Sequence, residues 1–186
     1  MKTKIILGPP GTGKTHNLLN LVEQELATGT PPDRIAFVAF TKKAASEARD
    51  RAMKQFNLEE QHLPYFRTLH SFAFQQLGLT KSEVMSRDNY KEFGQTFGMD
   101  LGSVSDVESG TVPKLDVVFI DEAQDLCALQ WRMVHKICQN AKQVYISGDD
   151  DQAIYRWAGA DVEHLIGLPG ERKVLQQSYR CSRLIQ

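Results

Sequence analysis

Residues 8–15, Gly-Pro-Pro-Gly-Thr-Gly-Lys-Thr, sit between a short apolar run, Lys4-Ile5-Ile6-Leu7, and a stretch from Lys14 to Ala27 in which Leu18, Leu19, Val22 and Leu26 recur at helical spacing. The pattern is GxxxxGK followed by Ser or Thr, in the strand, turn and helix order that its chemistry requires. The glycines at positions 8, 11 and 13 let backbone N–H groups turn inward, and the helix opening at Lys14 brings the positive end of its dipole to the same point. A chain folded this way acquires a phosphate cradle. Lys14 is placed to reach β- and γ-phosphates and the Thr15 hydroxyl to ligate Mg²⁺.

The rest of the chain supplies the sheet that such a turn needs. Ile35-Ala36-Phe37-Val38-Ala39-Phe40 is a near-continuous apolar run, as expected of a parallel strand covered on both faces. Thr41 follows as a cap for a basic helix reaching Phe56. Val117 to Ile120 and Val144 to Ser147 repeat the buried-strand signature, each before acidic residues, with a helical pattern from about Leu129 to Asn140 between them. Val174-Leu175 is read as one more strand. Alternating strands and helices predict an α/β fold, a central parallel sheet with helices on both faces. Residues 80–113 break the rhythm and read as a small inserted segment.

With 186 residues, of which 41% are hydrophobic and 24% charged, the chain suffices for one core and is short for two full domains. A single domain over 1–186 is expected. No stretch approaches a membrane span or a signal-peptide core. Cys127, Cys138 and Cys181 are odd in number and form no CxxC pair, which argues against a disulfide framework or a zinc site and for a cytoplasmic location. The net charge of −1 excludes a uniformly basic nucleic-acid coat. The charge is nonetheless polarised. Arg34, Lys42, Lys43, Arg49, Arg51 and Lys54 cluster against Glu47 and Asp50, whereas residues 100–126 are strongly acidic.

Asp121 and Glu122 end an apolar strand, and carboxylates at the carboxyl end of a central strand face the phosphate turn across the sheet's ligand crevice. Asp121 is the candidate Mg²⁺ ligand beside Thr15, and Glu122 the candidate general base that orients and deprotonates water. Gln152 follows the last clear strand, where its neutral amide can bond a γ-phosphate oxygen. Tyr155 and Trp157 flank Arg156, and either pack in a core or stack on the bases of a single strand.

These residues, in this order, resemble the UvrD/Rep (PcrA-like) branch of superfamily 1 DNA helicases. The distinguishing sets are Ala39 to Ala45, Thr68 to Phe72, Asp121 to Asp125, Gly148 to Asp161 and Ser178 to Cys181. The resemblance implies a RecA-like P-loop NTPase fold that takes ATP and Mg²⁺. It also implies that Gly8, Pro9, Pro10, Gly11, Thr12, Gly13, Lys14, Thr15 and His16 contact nucleotide and that Tyr179 stacks on the adenine. By the same resemblance Arg180 contacts the γ-phosphate, and Gln152 couples that phosphate to DNA. Phe40, Thr41, His70, Tyr155 and Trp157 are implied to line a single-stranded DNA path, and Lys42, Lys43, Arg49 and Arg51 are candidates for backbone contacts.

The sequence departs from the family's pattern in three ways. It begins almost at the first strand, without the upstream glutamine that reads adenine; it carries Ala158 where an arginine is frequent; and its inserted segment is short. It also stops at Gln186, after the fourth motif, so a second RecA-like domain is expected in cis or in trans. The function implied is ATP hydrolysis coupled to 3′–5′ translocation on single-stranded DNA and unwinding at single-strand/duplex junctions. The rival expectations are a nucleotide-binding subunit with negligible hydrolysis, or the helicase part of a RecB-like helicase–nuclease.

Overall fold

The computed structural model describes residues 1–76, 113–149 and 160–177. Among the described residues, six strands form one sheet: β1 (Lys2–Leu7), β2 (Ile35–Ala39), β3 (Phe66–Thr68), β4 (Val117–Ile120), β5 (Gln143–Gly148) and β6 (Glu171–Val174). Their order is β3-β2-β4-β5-β1-β6, and every neighbouring pair is parallel. Every residue of β2 and β4 is buried. A strand covered on both faces must be apolar throughout, which is why these two were conspicuous in the sequence.

Among the described residues, five helices pack on the sheet: α1 (Lys14–Ala27), α2 (Lys42–Phe56), α3 (Leu69–Gln76), α4 (Ala128–Cys138) and α5 (Val162–Gly167). Successive residues of a strand point to opposite faces, so the core divides in two. On one face Ile6, Phe37 and Phe119 meet Leu18, Leu19 and Val22 of α1 and the small stripe Ala45, Ala48 and Ala52 of α2. On the other, Ile5, Leu7, Val118 and Ile120 meet Trp131, Val134 and Ile137 of α4 together with Phe72 and Leu165. A row of rings crosses the first face over four adjacent strands. Phe66, Phe37, Phe119 and Tyr145 stack with successive centroid separations of 6.0, 6.2 and 4.8 Å. The Tyr145 hydroxyl donates to Glu25 of α1 at 2.9 Å, which ties the end of this row to the helix above it.

The expected bounds of α1 and α2 are observed, and the Thr41 hydroxyl accepts the Ala44 N–H at 3.2 Å as the α2 cap. β2 ends at Ala39 rather than Phe40, and α4 runs two residues short of Asn140. The strand expected at Val174-Leu175 is present, but it begins earlier and spans Glu171–Val174. All four of its residues are exposed at the sheet's edge, so no burial pattern marks it. β3 was not foreseen either, being three residues long with only Phe66 buried. The expected insertion falls outside the described residues apart from Pro113. No helix among the described residues is long and apolar enough to cross a membrane.

Phe119 is fully buried at the centre of the ring row. Phe119→Ala is therefore expected to lower unfolding stability by about 3–5 kcal/mol in urea titration. A loss under about 1 kcal/mol would show that the row is not a core element.

Candidate functional site

The turn after β1 is shaped by what cannot fit there. A Cβ on Gly8 would lie 2.7 Å from the Leu175 carbonyl oxygen and 2.9 Å from Thr12 Oγ1, so only glycine is accommodated. Gly11 and Gly13 have φ of 78° and 79°, the left-handed region that L side chains avoid. Thr12 closes the turn by donating its hydroxyl to the Pro9 carbonyl at 2.8 Å. Gly13 caps α1 without a side-chain hydrogen bond, so the N–H groups of the first helical turn are not taken by a capping side chain. Lys14 is 7% exposed, and its ammonium donates to the carbonyls of Gly8 at 2.6 Å and Pro9 at 3.2 Å.

Across the crevice Asp121 leaves β4 and is 1% exposed. Thr15 Oγ1 donates to its Oδ2 at 2.9 Å, while the Ser147 hydroxyl and the Glu122 N–H donate to Oδ1. Burial pushes the Asp121 carboxyl pKa upward and the nearby Glu122 charge adds to this, with the three hydrogen bonds opposing. Glu122 adopts the left-handed region at φ 55°, a strained setting for a side-chain-bearing residue. Its carboxylate accepts from Gln124 Nε2 at 2.8 Å, and Gln124 Oε1 accepts the Asp149 N–H at 3.1 Å. The turn after β4 is thereby fastened to the end of β5. Beside the phosphate turn lies an open pocket of about 760 Å³ lined by Gly11, Thr12, Gly13, His16, Asn17 and residues 174–177.

The structure thus brings Gly8 to His16 together with Asp121 and Glu122. Phe40, 36% exposed, and Thr41 follow β2, and His70 lies in the first turn of α3 just after β3, so all three lie along the same carboxyl rim of the sheet. Gln152, Tyr155, Trp157, Tyr179 and Arg180 lie outside the described residues. Chain on either side of residues 150–159 is held against the turn after β4: Asp149 by Gln124, and Asp161 by its N–H on the Leu126 carbonyl at 2.8 Å. Two of the candidate phosphate-binding cations are engaged internally, Arg49 with Glu60 and Arg51 with Glu23. The sequence assigned no role to Ser147 or Gln124. For Ser147 a signal existed, a hydroxyl closing an apolar run; Gln124 stood within the Asp121 to Asp125 set, and its bonds to Glu122 and Asp149 emerge only from the fold.

A parallel sheet whose first strand runs through a glycine turn into a helix, facing a buried aspartate from a second strand, defines the class: a P-loop ATPase domain. The chain belongs to the AAA_19 family, described as an AAA domain, whose family model matches residues 1–158. Over 77 residues it is 30% identical to the ATP-dependent DNA helicase PcrA of Bacillus subtilis (strain 168), covering 39% of this chain and 10% of that protein. Over 70 residues it is 40% identical to DNA helicase II of Salmonella typhimurium, covering 35% of this chain and 10% of that protein. These matches span about a tenth of the relatives' length. The crystal structure of Pif1 helicase from Candida albicans aligns with a TM-score of 0.51 at 16% identity, over 96% of this chain and 37% of that one, a likeness of fold. The resemblance to UvrD/Rep helicases holds at the level of a helicase-family ATPase domain.

Asp125, in the same turn, has a buried Oδ1 without a hydrogen-bond partner, and its carboxyl pKa is pushed up to about 6 by burial first and then by the charges of Glu122 and Asp149. A carboxyl that holds its proton more tightly when folded stabilises the fold below about pH 4 and loses that contribution as pH rises through about 6. Asp125→Asn removes the charged form. It is expected to raise the thermal midpoint at pH 8 and to change it little at pH 4.5. An unchanged or lowered midpoint at pH 8 contradicts this reading.

Proposed function

We propose that this chain is the first motor domain of a DNA translocase of the UvrD type, binding ATP·Mg²⁺ at the turn after β1 and completed by a second RecA-like domain. The observation that carries the reading is the 2.9 Å contact between Thr15 and the buried Asp121, which joins the phosphate turn to the acidic strand end. The residues fit the cation. Adjacent oxygens about 2.1 Å from an octahedral Mg²⁺ lie about 3 Å apart, close to the observed separation, and both donors here are the hard oxygens that Mg²⁺ prefers. Thr15 and Asp121 would hold the ion, which supplies charge neutralisation on the phosphates.

Incoming phosphates compete with the Gly8 and Pro9 carbonyls for the Lys14 ammonium and win, because an anion accepts a stronger, charge-assisted hydrogen bond than a neutral carbonyl does. Glu122 takes the proton of the attacking water, and the Gln124 amide holds its carboxylate in place. Gln152 and Arg180 are assigned to the γ-phosphate, and Tyr179 to the base. Phe40, Thr41 and His70, with Tyr155 and Trp157, are assigned to single-stranded DNA, aromatic rings stacking on bases without regard to sequence. Translocation with 3′–5′ polarity would follow from ATP-gated closure of two domains on the strand.

Calorimetric binding of a non-hydrolysable ATP analogue with Mg²⁺ tests the nucleotide site. Lys14→Ala is expected to weaken it by about 10- to 100-fold, the loss of a hydrogen bond to a charged group, and equal binding contradicts the reading. Glu122→Gln is expected to keep analogue binding while lowering turnover stimulated by single-stranded DNA about 10²- to 10⁴-fold. Unchanged turnover removes Glu122 from its assigned role.

A further inference from the structure

Arg51 stands on α2, the helix whose first turn carries Lys42 and Lys43, and its half-buried guanidinium reaches across to α1. Nε pairs with Glu23, Nη2 donates to Asn20 Oδ1 at 2.7 Å, and Nη1 lies 3.2 Å from His16 Nδ1. The three partners sit at positions 16, 20 and 23 of α1, spacings of four and three that place them on one helix face. A planar fork with fixed donors can serve three acceptors along such a face; a single ammonium cannot.

A guanidinium has donors and no acceptor. Its contact with His16 therefore requires the tautomer in which Nδ1 carries the lone pair and Nε2 carries the hydrogen. His16 also lines the pocket beside the phosphate turn, next to Gly11, Thr12 and Gly13. With Nδ1 committed to α2, the nitrogen left to serve that pocket is Nε2, and what it offers is a donor.

We propose that Arg51 is a positioning residue for the nucleotide: it locks His16 in the Nε2–H tautomer and so presents a hydrogen-bond donor to an acceptor on the nucleoside end of the bound ATP. This rests on the reading of the phosphate turn as an ATP site and extends it to the base and ribose side. It also fastens α2 to the nucleotide pocket at its Arg51 end while its other end carries Thr41, Lys42 and Lys43.

The test combines histidine ¹⁵N NMR of the ligand-free chain with calorimetry of the non-hydrolysable ATP analogue and Mg²⁺. Native protein is expected to show His16 as the Nε2–H tautomer. Arg51→Lys, which keeps a cation opposite Glu23 but loses the fork, is expected to give a tautomer mixture and about 3- to 10-fold weaker analogue binding, the size of one hydrogen bond. His16→Phe is expected to weaken binding by a similar factor, and the double variant no further than the weaker single one, the signature of one shared interaction. Glu23→Gln, which breaks the ion pair without touching His16, is expected to lower the thermal midpoint and leave affinity as it was.

Multiplying losses in the double variant, a native-like tautomer and affinity in Arg51→Lys, or an affinity loss reproduced by Glu23→Gln would each overturn the proposal. Binding that Lys14→Ala weakens but Arg51→Lys does not would sink this inference alone. Absence of analogue binding by the native chain would sink the ATP-site reading together with it.

Discussion

The Asp121 carboxylate is buried in the crevice with hydroxyls from two other elements aimed at it, Thr15 from α1 and Ser147 from β5. A charge placed so deep is tolerated only if its hydrogen bonds are made. Three segments must therefore arrive together. The sheet register does this: Ile120 lies opposite Ile146, which lies opposite Ile5, so Asp121 leaves β4 beside Ser147 of β5 and two residues below the turn that follows β1. The stacked rings and the two apolar layers hold that register, and a slip of one residue would move every inward side chain to the opposite face. The packing of the core and the placement of the carboxylate are one constraint seen from two sides.

Much of this was legible in the sequence, and the reasons differ from residue to residue. The phosphate turn could be read because glycines at 8, 11 and 13 answer backbone needs that no other residue meets. β2 and β4 could be read because burial on both faces leaves no room for a polar position. β3 could not, and β6 was read only at Val174, since an edge strand has no covered face to mark it and borrows its order from its neighbour. Asp121 stood out at a strand end, whereas Gln124 and Arg51 act through partners distant in sequence or through turn geometry. Arg51 illustrates the limit well. Read in sequence it belongs to a basic run suited to phosphate backbone, and only the packing of α2 on α1 turns it toward Glu23, Asn20 and His16.

The near-neutral charge takes on structure in the same way. Arg49 and Arg51 are balanced by Glu60 and Glu23, while Lys42 and Lys43 stay exposed at the start of α2. The acidic strand ends converge on the crevice that the phosphate turn faces. Among the described residues, the exposed lysines follow Phe40 and Thr41 on the rim, and Asp121 and Glu122 face the phosphate turn.

The Lys14 ammonium bonds the turn's own Gly8 and Pro9 carbonyls, so the phosphate turn is tied together from within. A crystal structure with a non-hydrolysable ATP analogue and Mg²⁺ bears on this most directly. The expected result has the Lys14 ammonium transferred from the Gly8 and Pro9 carbonyls to phosphate oxygens, Thr15 and Asp121 on the metal, and the turn's backbone otherwise unmoved. Lys14 still on those carbonyls, with phosphates bound elsewhere, would contradict it.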